Sequence, residues 1–326
     1  MTVKTKHCKI PFFLLIVFFA TLTNSDGDQR IINGRPTGEG FPQVAAIGFQ
    51  FTQEQITRLN ILAEEIGFFQ FGFEPDTFVS ICSGTLVGDR TVVSAAHCVA
   101  KLSLFPTPHE FAEILGVPLQ TIFFSQLGGT LWGISEIVIH PDFNPFADIL
   151  SNEIVNQCGT LCKDFLELQQ AFGAPPVRLL RNDISVFTLT NRVDTIVPFS
   201  LTRREPLIGK DIVIAGYGFT NAEDPAGLPN PSDPDASIEG VNFIGAFDQN
   251  SIYFFFDDFT DANTCFGDSG GPLFTNYGSG AVLVGIASGG TNGNCWIGDI
   301  AWNERADIHV DWIDEVSNGN VFQVLN

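Results

Sequence analysis

The sequence predicts an all-β fold. Its 326 residues include 32 glycines and 18 prolines, a frequency suited to many tight turns. Helix-favouring Met occurs once, Lys and Arg together number 16, and Phe alone numbers 32. Apolar residues make up 44% of the chain, enough for a substantial core in one large domain or two small ones.

Taken in order, the chain opens with Lys4, Lys6 and Lys9 ahead of an apolar run over residues 10–20, followed by small and polar residues to Ser25. This is the pattern of a secretory signal peptide, expected to end near residue 25. The run is too short to span a bilayer comfortably, and Cys8 leaves with it. Pro42-Gln43-Val44-Ala45-Ala46-Ile47-Gly48 and Ser80-Ile81-Cys82-Ser83-Gly84-Thr85-Leu86-Val87 read as strands. Between them, Ile56, Leu59, Leu62, Ala63 and Ile66 fall at helical spacing, with Glu54, Arg58, Glu64 and Glu65 on the other face. An aromatic run, Phe68-Phe69-Gln70-Phe71-Gly72-Phe73, follows. A second helix is expected over residues 163–172, beside Cys158 and Cys162. Asp183-Ile184-Ser185-Val186-Phe187 alternates as a strand should, residues 210–218 and the aromatic stretch 241–259 read as strands, and residues 221–237, rich in Pro, Asp and Gly, read as an exposed loop.

The formal net charge is −21. Such a surface repels nucleic acid and anionic lipid, so neither is expected as a partner. No nucleotide or zinc motif is present, and neither a metal nor another cofactor is expected.

The chemistry concentrates in Cys265-Phe266-Gly267-Asp268-Ser269-Gly270-Gly271-Pro272. A serine hydroxyl is a poor nucleophile until a base takes its proton and donors stabilise the oxyanion. Glycines on both sides let the backbone turn tightly and approach a carbonyl. Upstream lie Ser94-Ala95-Ala96-His97-Cys98 and Asn182-Asp183-Ile184-Ser185. These three strings, in the order His, Asp, Ser, resemble the trypsin/chymotrypsin-like serine protease family from Ile31 to the C-terminus, apart from two insertions at residues 49–77 and 144–177.

The resemblance implies two packed six-stranded antiparallel β-barrels with a C-terminal helix over residues 307–316 and helical loop insertions. It implies a secreted serine endopeptidase, a monomer acting on protein or peptide substrates through His97, Asp183 and Ser269. The N–H groups of Gly267 and Ser269 would form the oxyanion hole. Asp148, in Ala-Asp-Ile-Leu, is the alternative aspartate, but Ser151-Asn152-Glu153 breaks the strand that should follow it, and Asp183 is preferred. Residues 26–30 would be a short propeptide. An activating protease would cut at Arg30–Ile31, and the freed amino group of Ile31 would pair with Asp268. Disulfides are implied at Cys82–Cys98 and Cys265–Cys295; Cys158 and Cys162, four apart, are expected to close a small surface loop as a local disulfide rather than to serve as a metal pair, as an oxidising compartment favours. Asn263, Ser288 and Gly290 match substrate-pocket positions. Neutral Asn263 argues against cleavage after Lys or Arg, although Asp299 is a candidate to lie near the pocket and restore a negative charge. Gly289 stands where the family carries Trp, which implies a lost apolar wall. The alternative is a non-catalytic relative acting as a binding protein, favoured by the altered pocket and the insertions and opposed by the complete triad.

Overall fold

The computed structural model describes residues 31–325, apart from 38–39, 66–74, 77, 101–115, 124–129, 172, 174, 219–236, 258–259, 279 and 294. The expected signal peptide, the propeptide with Arg30, the aromatic run at 68–73 and nearly all of the loop at 221–237 lie outside the described residues.

In the first half, β1 is Arg35–Pro36, β2 Val44–Gln50, β3 Phe78–Leu86, β4 Thr91–Ser94, β5 Gln120–Phe123, β6 Thr130–Ile139, β7 Asn144–Ile149, β8 Arg178–Arg181 and β9 Ser185–Leu189. Strands β2, β3, β4, β9, β6 and β5 close into a barrel in that order, every pairing antiparallel. Val44, Ile47, Leu86, Val92, Phe187 and Leu189 are fully buried inside it. The β-branched and aromatic residues that predict these strands are thus the ones that fill the interior.

In the second half, β10 is Ser200–Thr202, β11 Asp211–Gly216, β12 Ile238–Phe243, β13 Ala246–Phe247, β14 Ser251–Phe256, β15 Pro272–Asn276, β16 Ala281–Gly290, β17 Asp299–Arg305 and β18 Val324–Leu325. They form a ten-stranded sheet with β1, its main path running β1-β12-β11-β15-β16-β17-β14-β13. Its central six strands, β12 to β14, match the expected second barrel in number. No ladder joins β12 to β14 among the described residues. Instead the side chain of Asn242 donates to the carbonyl of Phe255 at 3.1 Å, and Gly245 N–H donates to Tyr253 O at 2.9 Å. The sheet is therefore drawn round on itself by irregular bonds. The short β10, in the stretch linking the two halves, runs parallel to β16 and β18.

Both insertions contain helices. Helix α1, Gln53–Glu65, opens on a reciprocal cap: Gln55 N–H donates to Thr52 Oγ1 at 3.4 Å and Thr52 N–H to Gln55 Oε1 at 2.8 Å. It buries Ile56 and Leu59 against the barrel and leaves Ile61 exposed. The second insertion holds two helices where one was expected, α2 at Asn152–Cys158 and α3 at Thr160–Ala171. Ser151, a strand breaker on the sequence reading, is the N-cap of α2, its Oγ accepting from Ile154 N–H at 3.3 Å. A two-stranded ladder of β7 and β8 closes the insertion at its base. Leu150, Ile154 and Leu166 pack with Tyr253, Phe255, Ile300 and Trp302, so the insertion backs β14 and β17. The chain closes with a 3-10 turn at Asp307–His309 and helix α4, Val310–Val316, which buries Val310 and Ile313.

Candidate active site

His97 sits in a 3-10 turn, Ala96–Cys98, directly after β4. The disulfide Cys82–Cys98 ties that turn to β3. Asp183 follows Asn182, whose backbone is left-handed at φ 51°, and its side chain turns inward with no exposure. One carboxylate oxygen accepts the backbone N–H of His97 at 2.8 Å; the other lies 2.7 Å from His97 Nδ1. Ser288 Oγ donates to that second oxygen at 2.6 Å. Burial pulls the His97 imidazole down, but the charge and hydrogen bond of Asp183 outweigh it, and the pKa lies above 6.5. Asp148, the alternative, is half exposed and pairs with Arg181 at 2.6 Å, away from His97.

Ser269 occupies a loop built on unusual backbone. Gly267 and Gly270 have φ of 93° and 81°, and a Cβ on Gly267 would lie 2.8 Å from the Gly218 backbone, so both positions require glycine. Within the loop, the N–H groups of Asp268, Gly270 and Gly271 donate to backbone carbonyls of Cys265, Ala287 and Asp268. Those of Gly267 and Ser269 stand outside these bonds, as an oxyanion hole requires. Ser83 of β3 pins the loop to the first barrel: its Oγ donates to Gly267 O and accepts from Tyr217 N–H, each at 2.9 Å, and its N–H donates to Ser269 O at 2.8 Å. Cys82, Cys98 and His97 bring ligand-type atoms within 4.8 Å of one another, but both sulfurs are committed to the disulfide.

His97 and Ser269 line one cavity of about 230 Å³, with Phe266, Ser288, Gly290, Cys295 and Asp299 among its other walls. The disulfide Cys265–Cys295 joins the nucleophile loop to its far side. Asn263, expected at the pocket base, is fully buried one layer behind. Its Nδ2 donates to Asp299 Oδ2 at 2.8 Å, and Asp299 stands between it and the cavity. Thr291 Oγ1 and Asn292 N–H donate to the other oxygen of Asp299 at 2.9 and 2.8 Å. Burial pushes the Asp299 carboxyl up, against these hydrogen bonds. The space over Gly289 belongs to Trp302: a Cβ there would meet the indole at 2.4 Å. The second insertion reaches the same wall, where Gln169 donates to Thr291 O at 3.3 Å. Its two cysteines, Cys158 and Cys162, are bonded to each other.

Asp268 is buried beside the loop and accepts from the backbone N–H of Gly218 at 2.8 Å and of Cys265 at 2.9 Å. Burial pushes its carboxyl up to about 7 despite both donors. Ile31 is fully buried at φ 54°, and Ile32 exchanges two backbone hydrogen bonds of 3.1 Å with Asn263.

The family model described as Trypsin matches residues 68–313. The chain belongs to the trypsin family. Serine protease 28 of Mus musculus is 24% identical over 228 residues, spanning 68% of this chain and 72% of that protein. Serine protease 1 of Drosophila melanogaster is 28% identical over 240 residues, spanning 71% and 74%. Among solved structures, neuropsin, a serine protease expressed in the limbic system of mouse brain, superposes with a TM-score of 0.53 at 20% identity, covering 88% of this chain and all of that one. That likeness carries the fold alone. The trypsin family is one of serine proteases, so the chain is a hydrolase at the family level. Among the described residues, no helix is long and apolar enough to cross a membrane.

The sequence strings named His97, Asp183 and Ser269, and the structure brings Asp183 against His97 and sets His97 and Ser269 on one cavity. Sequence reasoning did not find Ser83 or the full role of Ser288, whose hydroxyl reaches Asp183 as well as the cavity. Ser83 lies in a strand expected from the sequence and Ser288 at an expected pocket position, but nothing local marks what they contact.

Proposed function

We propose that this trypsin-family chain is a secreted serine endopeptidase made as a zymogen, working through His97, Asp183 and Ser269. The observation that carries the reading is the buried Asp183 carboxylate, which accepts from both the backbone N–H and the Nδ1 side of His97. That arrangement fixes the tautomer with the proton on Nδ1 and leaves Nε2 as a base facing the Ser269 cavity.

In this reading Nε2 takes the Ser269 proton as Oγ attacks the substrate carbonyl. The N–H groups of Gly267 and Ser269 hold the oxyanion, with no reorganisation needed at that moment. Protonated His97 gives its proton to the leaving amine, and the acyl-enzyme remains on Ser269. A water then enters, His97 takes its proton, and the acid product leaves with Ser269 restored. Asp183 stabilises the imidazolium in both halves.

Activation follows from Asp268 and Ile31. A lone buried carboxylate is costly, and a buried cation beside it removes that cost. Cleavage at Arg30–Ile31 would give Ile31 an α-ammonium group, in a segment already docked beside Asn263. Its pairing with Asp268 would brace the Gly267 loop. The test is peptide hydrolysis by the purified chain before and after cutting at Arg30, beside Arg30→Gln. The reading expects turnover only after the cut. An uncut Arg30→Gln chain with full turnover would refute the zymogen.

A further inference from the structure

Behind the aspartate of the proposed triad lies a second buried acid that this chemistry does not use. Glu304 of β17 is 1% exposed. Its Oε2 accepts the backbone N–H of Asp183 at 3.1 Å. Its Oε1 lies 2.8 Å from Nε2 of His309, itself buried in the turn before α4. The rings of His309 and His140 meet edge to face, centroids 4.9 Å apart, and His140 in turn packs on Trp312 of α4 at 4.8 Å. The backbone N–H of His140 donates to the carbonyl of Ile184, the residue after Asp183, at 3.1 Å. The peptide that carries the aspartate is therefore held from the second half of the molecule by Glu304 and from the end of β6 by His140, with His309 joining the two.

A neutral side chain could accept one backbone N–H. Here a carboxylate does so, in the same dry interior as the Asp183 carboxylate, where like charges oppose each other. Such an arrangement is costly unless the acid is itself held, and His309 holds it. The left-handed Asn182 makes the held peptide a specific one: Asp183 must follow a residue at φ 51° and still deliver both oxygens to His97. We propose that Glu304, locked by His309, is a positioning residue that sets the reach of Asp183 to His97. It touches no substrate, since it is not among the residues lining the cavity.

This rests on the triad reading above. In the cut enzyme, Glu304→Ala leaves the Asp183 N–H without its acceptor and lets the carboxylate drift. Displacement of a catalytic group by a fraction of an ångström to an ångström costs roughly 10- to 100-fold in rate, so kcat should fall by that amount with KM unchanged. Glu304→Gln keeps an acceptor oxygen and the side-chain shape, and should restore kcat to within about threefold of the parent. The downfield imidazole proton between His97 and Asp183, followed by proton NMR in the inactive Ser269→Ala background, should move in Glu304→Ala and hold in Glu304→Gln. If Glu304→Ala does not fold, His309→Phe tests the same lock with Glu304 in place and should also lower kcat at constant KM.

A folded Glu304→Ala enzyme with parental kcat and an unmoved imidazole proton overturns the role of Glu304 and leaves the triad reading intact. Equal losses in Ala and Gln variants overturn the acceptor argument. A cut parent with no turnover refutes the triad reading and, with it, any catalytic geometry for Glu304 to position.

Discussion

Replacing Asp268 by asparagine in the uncut chain should change how stability depends on pH. The carboxylate is 1% exposed and its pKa is raised from 3.8 to about 7, burial outweighing the amides of Cys265 and Gly218. In the unfolded chain it ionises near its ordinary value, so between about pH 4 and 7 the folded state holds a proton that the unfolded state has released. Stability therefore falls as pH rises through this window. Each pH unit is worth about 1.4 kcal/mol for one proton, and the full window roughly 4 kcal/mol. An asparagine side chain cannot titrate, so in Asp268→Asn this decline should be absent. Its amide has one acceptor oxygen for two backbone donors, which adds a pH-independent loss of about 1–3 kcal/mol. The assay is urea unfolding at several pH values between 4 and 8, on uncut Ser269→Ala chains with and without Asp268→Asn. Burial also raises Asp299 and Glu304, but both slopes are common to the two chains and cancel in the difference. After cutting at Arg30, the Ser269→Ala parent should regain the loss near pH 7 and the Asp268→Asn chain should not. Parallel profiles for the two uncut chains would refute the reasoning.

Three further outcomes follow from the site. Because Asp183 raises the His97 pKa, and neutral imidazole is the active form, kcat/KM should rise with pH around a midpoint above 6.5; a flat profile from acid to alkaline pH would contradict His97 as base. Asp183→Asn should lower kcat on the order of 10⁴-fold by disfavouring the working tautomer, whereas Asp148→Asn removes one of two carboxylates paired with Arg181 and leaves Asp248 in place, and should leave turnover unchanged; steady-state kinetics on the two variants decide between them. Asp299 lines the cavity, with its Oδ2 held by Asn263, and a carboxylate there attracts a cationic side chain, so basic side chains should be accepted in the cavity despite the neutral Asn263. Asp299→Asn should cut kcat/KM for Lys and Arg substrates at least tenfold relative to Ala substrates, and an unchanged ratio would sink this.

The first barrel is legible because apolar and β-branched residues in 42–48, 80–87 and 182–189 coincide with burial. The nucleophile loop is legible because the backbone it needs admits only glycine at two positions. Helix α2 is not: Ser151-Asn152-Glu153 reads as the failure of a strand, yet Ser followed by an acid in the first turn is also a helix start. Gly289 implies a missing wall, and the indole of Trp302 lies there instead. Ser83, Asp299 and Glu304 act across 184, 36 and 121 residues of chain. Nothing in their immediate neighbours marks them, since each contact exists only once the chain has folded.

The central claim is that Ser269 is a nucleophile made competent by cleavage before Ile31. Covalent labelling by a fluorophosphonate probe, before and after cutting at Arg30 and with Ser269→Ala as control, tests it most directly. The account predicts labelling only after the cut, and none in the Ser269→Ala chain. An intact, verified cut that leaves Ser269 unlabelled would contradict it and turn attention to the non-catalytic binding protein.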